Sequence, residues 1–216
     1  HSGGGAGTGG DAYRSLVNHL HAREGEGGPL RILLLTGTGP GVGVSTLTHG
    51  LASFMSHTLG RKTLVVDAQF QRNNGDGGAV EDAGPGLADW LAGRVPLDGV
   101  LEVCGQGYQV MPPGDPLLLT QTLLDTRSVE RPGLRELTDR FGVVLVDGAP
   151  LLTSPEVFAL SSLVDGVILV AQAERTRREV VRACVEQLGF SGAPLVGGML
   201  NRRRFHLPSW VYSRMS

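Results

Sequence analysis

The stretch Arg31-Ile32-Leu33-Leu34-Leu35-Thr36-Gly37-Thr38-Gly39-Pro40-Gly41-Val42-Gly43-Val44-Ser45-Thr46 decides the fold. Ile32 to Leu35 are apolar without alternation, as in a strand covered by protein on both faces. The glycines that follow allow a tight turn in which successive backbone N–H groups curl around one centre. From residue 45 the spacing predicts a helix over 45–59, whose positive dipole end faces that turn. A buried strand, a glycine turn and a helix in immediate succession form a cradle suited to an anion.

The same grammar repeats outward. Residues 63–67, Thr63-Leu64-Val65-Val66-Asp67, and 143–147, Val143-Val144-Leu145-Val146-Asp147, read as further buried strands, each closed by a carboxylate. Shorter or later strands are predicted at 108–111, 166–171 and 195–200. Helices are predicted at 11–23, where Tyr13, Leu16, Val17 and Leu20 have helical spacing, and at 87–91, 117–124, 133–140, 157–163 and 176–188. Residues 75–86 read as a Gly- and Asp-rich loop. Apolar strands alternating with helices predict an α/β fold in three layers, a mostly parallel central sheet with helices on both faces, of the P-loop NTPase (Rossmann-like) kind. There are no internal repeats and no sign of a second domain. Residues 1–10 are glycine-rich and open without Met, and are read as a tag remnant or flexible linker outside the fold. Residues 11–204 form the domain and 205–216 a tail.

Composition narrows the function classes. A chain of 216 residues suffices for one domain with a full core. A formal net charge of −2 with no basic patch argues against nucleic acid. No apolar run is long enough to cross a bilayer and no signal-peptide pattern opens the chain. Cys104 and Cys184 lack metal spacing and are too few for a disulfide scaffold, which fits a reducing cytoplasm. The six histidines show no metal spacing either. Trp90 and Trp210 read as packing residues. Lys62 is the only lysine.

Sheets of this kind bind ligands at the carboxyl ends of their strands. The turn after the first strand and the aspartates closing two others, Asp67 and Asp147, meet there. A P-loop ends in Gly-Lys-Ser/Thr, its lysine reaching the phosphates and its hydroxyl a Mg²⁺ ion. Here Gly43 and Ser45 match, and Val44 stands at the lysine position. A glycine turn alone also suits an ordinary strand-to-helix connection, and strand-end aspartates also serve as turn formers. Together, in this order, they indicate a P-loop that has lost its lysine.

From residue 11 onward the chain resembles the bacterial tyrosine kinases (BY-kinases) that regulate capsule and exopolysaccharide synthesis, within the deviant-Walker P-loop ATPases. The family's Pro-Gly-Glu-Gly-Lys-Ser-Thr is matched by Pro40-Gly41-Val42-Gly43-Val44-Ser45-Thr46. Its Asp-Ala-Asp strand end is matched by Asp67-Ala68-Gln69, followed by Phe70-Gln71-Arg72, and its Asp-Thr-Pro-Pro by Asp147-Gly148-Ala149-Pro150. Asp165-Gly166-Val167-Ile168-Leu169-Val170, Thr176-Arg177-Arg178-Glu179 and Gly197-Gly198-Met199-Leu200-Asn201 are also similar. The resemblance implies a cradle for ATP or ADP from Gly39, Pro40, Gly41, Val42, Gly43, Val44, Ser45 and Thr46, with Asn201 near the base. It implies Mg²⁺ on Ser45, Asp67 and Asp147, the two aspartates being the retained catalytic positions. Val44 in place of lysine and Gln69 in place of aspartate argue against both cofactors and against activity.

The assembly features are thinned as well. Where the family carries Glu-x-x-Arg-x-x-Arg for ring assembly, this chain has Asp11-Ala12-Tyr13-Arg14-Ser15-Leu16-Val17, and the family's tyrosine-rich tail is reduced to Tyr212. The expectation is a catalytically inactive BY-kinase-like domain at the inner face of the cell membrane. It would bind and regulate a membrane polysaccharide co-polymerase, on the same or a separate chain, with self-association as a homo-oligomer left open. Two alternatives stand beside it. One is an active atypical tyrosine kinase or ATPase in which an arginine, such as Arg72, replaces the lysine. The other is a degenerate partition-type ATPase, which the lack of a basic patch and of a membrane-targeting helix disfavours. The run Arg202-Arg203-Arg204 reads as a solvated charge run. Lys62 precedes the second strand and is expected at the edge of the sheet away from the glycine turn.

Overall fold

A computed structural model describes residues 7–70, 84–124 and 132–201. In chain order its elements are α1 (Gly7–Gly27), β1 (Ile32–Gly37), α2 (Val44–His57), β2 (Thr63–Ala68), α3 (Leu87–Leu91), β3 (Glu102–Val103), β4 (Gln109–Met111), α4 (Pro116–Leu124), β5 (Val143–Gly148), α5 (Pro155–Ser161), β6 (Gly166–Gln172), α6 (Arg178–Ser191) and β7 (Leu195–Asn201). Short 3-10 helices lie at Leu97–Gly99, Leu134–Asp139 and Leu151–Thr153.

The strands form one sheet in the order β3-β4-β2-β5-β1-β6-β7, parallel except for β3 against β4. The α/β, three-layer expectation therefore holds. Because strand side chains alternate, β1 feeds two separate cores. Leu33 and Leu35 pack with Leu16, Val17 and Leu20 of α1 and with Leu51, Ala52 and Met55 of α2. Ile32 and Leu34 pack on the other face with Leu87, Trp90, Leu119, Val157, Leu160 and Leu188 of α3 to α6. Burial of both alternating sets is why these strands read as unbroken apolar runs. Trp90 is a packing residue, as expected, and both cysteines are free, Cys184 buried and Cys104 half-buried.

Several boundaries differ from the sequence expectation. α1 runs Gly7–Gly27 rather than 11–23, so residues 7–10, expected outside the fold, form its first turn. A helical glycine costs about 1 kcal/mol, and docking of Leu16, Val17 and Leu20 outweighs it. The segment expected as a helix over 133–140 is a 3-10 turn, with Gly133 N–H donating to Glu136 Oε1 at 3.0 Å. β3 was not expected, since two exposed residues carry no readable alternation. α5 begins two residues earlier than predicted, with Pro155 in its first turn, where the missing N–H costs nothing.

Asp165 ties down the end of the sheet opposite the glycine turn. Its Oδ2 accepts from the backbone N–H groups of Arg31 (2.9 Å) and Ile32 (2.8 Å), and Oδ1 pairs with Arg135 at 2.7 Å. The Arg31 guanidinium donates to the carbonyls of Thr138 and Phe141, so the start of β1 is held from both sides. No described helix is long and apolar enough to cross a membrane. Arg72, the run 202–204 and Tyr212 lie outside the described residues.

Candidate functional site

The sheet brings the candidate residues together through register. Asp147 of β5 lies beside Leu35 of β1 on one side and beside Asp67 of β2 on the other. Both strand-end aspartates therefore reach the same edge as the turn that leaves β1. Asp147 is 1% exposed and Asp67 is half-buried.

The glycine turn is built rather than merely permitted. Gly43 caps α2 with φ 95°, in the left-handed region where a side chain is strained. A Cβ there would also lie 2.2 Å from Asn201 Nδ2. That amide donates to Val42 O at 2.8 Å, pinning the turn to the last strand from its first to its last segment in the chain. Thr38 N–H donates to Val170 O at 2.9 Å, and Thr36 Oγ1 to Ala149 O at 2.7 Å, anchoring the turn to the neighbouring strand ends. Asn201 thus braces the turn that the resemblance would have it serve from the base side.

Above the turn is an open cleft of about 600 Å³. It is lined by the turn from Gly39 to Thr46, by Gln69, and by Gly148, Ala149, Pro150 and Thr153. No lysine or arginine is among these residues. Val44 does not point a substitute into the space. It opens the inward stripe of α2, Val44, Thr48, Leu51, Ala52 and Met55, and is 7% exposed. A Cβ placed on Gly37 would lie 2.7 Å from Val42 Cγ2 and 3.1 Å from Val44 Cγ2, so both valines fill the room beneath the turn. Lys62 is no replacement. It precedes Thr63 at the start of β2, about 17 Å of strand away from the carboxylate end, and lines a different hollow beside Arg140 and Phe141. This is the placement the sequence predicted for it.

Gln69 is the residue whose role the sequence concealed. Its Nε2 lies 3.3 Å from Ser45 Oγ, 3.0 Å from Asp147 Oδ1 and 3.2 Å from Gly148 O. Its backbone N–H donates to Asp67 Oδ1 at 2.8 Å. One residue therefore contacts Ser45, Asp67 and Asp147 together. Those oxygens are the right chemistry for Mg²⁺, which takes oxygen ligands at about 2.0–2.1 Å in octahedral geometry. With an amide NH₂ standing among them, the group as arranged does not fit the ion. Among the described residues no cluster of three His, Cys, Asp or Glu side chains offers another metal site. For the phosphates of ATP or ADP the turn supplies backbone N–H groups and a helix start, but no charge.

With this geometry in view, the relatives can be weighed. Tyrosine-protein kinase CpsD of Streptococcus agalactiae is 30% identical over 179 residues, covering 80% of this chain and 75% of that protein. The chain belongs to the bacterial tyrosine kinase family. EpsB of Ralstonia solanacearum is 28% identical over 199 residues, which are 88% of this chain and 25% of EpsB. The BY-kinase unit thus also occurs as a quarter of a longer protein. Among solved structures, the kinase domain of VpsO matches with a TM-score of 0.71 at 26% identity, over 91% of this chain and 95% of that one. No family model matches the chain. The mostly parallel sheet and P-loop-type turn are those of BY-kinase domains, and Val44 and Gln69 lie at the edge of the sheet that carries this turn.

Proposed function

We propose that this chain is a BY-kinase-type domain that does not transfer phosphate and acts by docking. Its partner is the cytoplasmic part of a membrane polysaccharide co-polymerase, on the same or a separate chain, at the inner face of the cell membrane. Family membership supports the setting in capsule and exopolysaccharide synthesis, because one relative, from Klebsiella pneumoniae, is named as a putative tyrosine-protein kinase in the cps region. The single observation that carries the loss of catalysis is Val44, buried beneath the turn beside a cleft with no cation among the described residues that line it. Phosphoryl transfer depends on positioned positive charge at the transferring group. One cation about 4 Å away contributes roughly 4 kcal/mol at an effective dielectric near 20. Removing one pre-organised stabiliser of developing charge commonly costs ~10²–10³ in rate.

The test has two parts. Calorimetric titration of ATP and ADP, with and without Mg²⁺, into the purified domain should give no binding in the micromolar range, and incubation with ATP should label no tyrosine. Co-purification with the cytoplasmic segments of a membrane polysaccharide co-polymerase should succeed without nucleotide. Robust Mg²⁺-dependent turnover that disappears in Asp147→Ala would overturn the reading and favour a kinase that draws its positive charge from an arginine.

A further inference from the structure

The geometry points to Gln69 as a built-in replacement for the divalent cation: its carboxamide NH₂ holds Ser45 and Asp147 together, while its backbone N–H holds Asp67, so that this edge of the sheet is assembled without metal. The inference concerns the ion alone. It can fail while the docking function proposed above stands, and the reverse.

The orientation of the amide follows from its neighbours. Gly148 O is an acceptor only and lies, with Asp147 Oδ1, against one end of the amide. The end of Gln69 that meets them at 3.2 and 3.0 Å must therefore be the NH₂. Turning the amide over would set its oxygen against that carbonyl. An aspartate at position 69, which the family resemblance implies, would be one more acceptor beside Asp67 and Asp147. Three carboxylates converging with a hydroxyl need a cation between them. Exchanging that acceptor for a donor inverts the requirement at Ser45 and Asp147, which now converge on the carboxamide NH₂, while the backbone N–H to Asp67 Oδ1 is available with either residue.

The distances also exclude coexistence. Hydrogen-bond contacts near 3 Å place the nitrogen in the space between Ser45 Oγ and Asp147 Oδ1. An ion bound to those same two oxygens at about 2.0–2.1 Å would have to occupy that space. The side chain must leave before the ion can enter, and its departure takes donors away from a carboxylate that is 1% exposed. Gln69 is accordingly a positioning residue, and its test reads metal binding and stability rather than turnover.

The experiment titrates Mn²⁺ into the intact chain, following the free-ion signal by electron paramagnetic resonance, with melting temperature measured in parallel. The wild type should leave the Mn²⁺ signal unchanged and melt at the same temperature with and without the ion. Gln69→Glu keeps the length and replaces the donor with an acceptor facing Asp147. It should melt lower than wild type without metal, recover on adding Mn²⁺, and bind the ion at least ~10-fold more tightly. Gln69→Ala removes the donor without adding charge and covers the case in which Gln69→Glu does not fold; it should bind Mn²⁺ measurably where wild type does not. Wild-type binding that matches either variant would overturn the inference. So would equal silence of wild type and both folded variants, since Ser45, Asp67 and Asp147 would then not be a cation site at all.

Discussion

Val44→Lys supplies the lysine that a P-loop carries at this position, and its consequences can be worked from the structure. Val44 is 7% exposed and packs over Gly37 with Val42. Full burial of a valine stabilises by about 1.5–3 kcal/mol. A lysine stem covers part of the same surface while its ammonium reaches for water. The net loss is about 1–2 kcal/mol, which in a domain of this size lowers the melting temperature by roughly 3–6 °C. The ammonium emerges into the cleft of about 600 Å³ beside the turn. Its Coulomb contribution to a bound phosphate has a ceiling near 4 kcal/mol, which is ~10³ in affinity. The variant should therefore bind ATP at least ~10-fold more tightly than wild type in a calorimetric titration. That gain should persist without Mg²⁺, because Gln69 still stands between Ser45 and Asp147. A folded Val44→Lys protein with no gain would refute the reasoning, since the turn would then not be a phosphate cradle. Wild-type ATP binding as tight as the variant's would refute it differently, by showing that another group already supplies the charge.

Other perturbations test the scaffold around the site. Asp165→Ala removes acceptors for two backbone N–H groups and a partner for the mostly exposed Arg135. The urea midpoint should fall by the equivalent of about 3 kcal/mol, most of it from the buried N–H groups, and Asp165→Asn should recover part of it. Gly43→Ala meets both the left-handed backbone and Asn201 Nδ2, so it should cost about 1–3 kcal/mol. Adding Asn201→Ala relieves the contact but not the backbone strain. A coupling energy above ~0.5 kcal/mol is expected, and simple additivity would contradict the contact. Tyr108 is pushed up to about 12 by burial, then by its hydrogen bond to and the charge of Cys104. A group whose folded value lies above its unfolded one contributes stability that is whole below pH ~10 and lost as pH rises through ~12. Wild type should lose stability over that window, and Tyr108→Phe should lose distinctly less, as read by urea unfolding across alkaline pH.

The fold was legible because its central strands are buried on both faces. β1, β2, β5 and β6 appear as continuous apolar runs, and the glycine turn after β1 marks the ligand edge. What stayed hidden was short or compensated. β3 has two exposed residues, too few to carry a period. The glycines around residues 7–10 and 25–27 suggest breaks, yet three buried apolar side chains of α1 hold the helix against that local preference. Such losses are what tertiary packing overriding propensity looks like.

The site was legible in its losses and not in its replacement. Val44 and Gln69 can each be named from sequence as the wrong residue for phosphoryl transfer. Read alone, each is decay, and decay would leave Asp147 buried among groups that repel it or ignore it. The structure instead gives both substitutions compensating roles. Val44 joins the inward stripe of α2, turning a position that would demand a charged side chain into core. Gln69 supplies N–H groups to Ser45 Oγ, Asp67 Oδ1 and Asp147 Oδ1, so that these three oxygens are held by one residue in place of a cation. Asp147 is 1% exposed and takes one of its contacts from Gln69 Nε2, so the two residues are coupled. This dependence has a direction that can be checked. Asp147→Asn in the wild type should be tolerated to within about 1–2 kcal/mol, because an amide oxygen still accepts from Gln69 Nε2. In the Gln69→Ala background Asp147→Asn should cost less than in the wild type, because the contact with Gln69 Nε2 is already gone. If Asp147→Asn has the same effect in both backgrounds, the two residues are retained independently, and Gln69 is an ornament of the cleft rather than the group that keeps its edge closed.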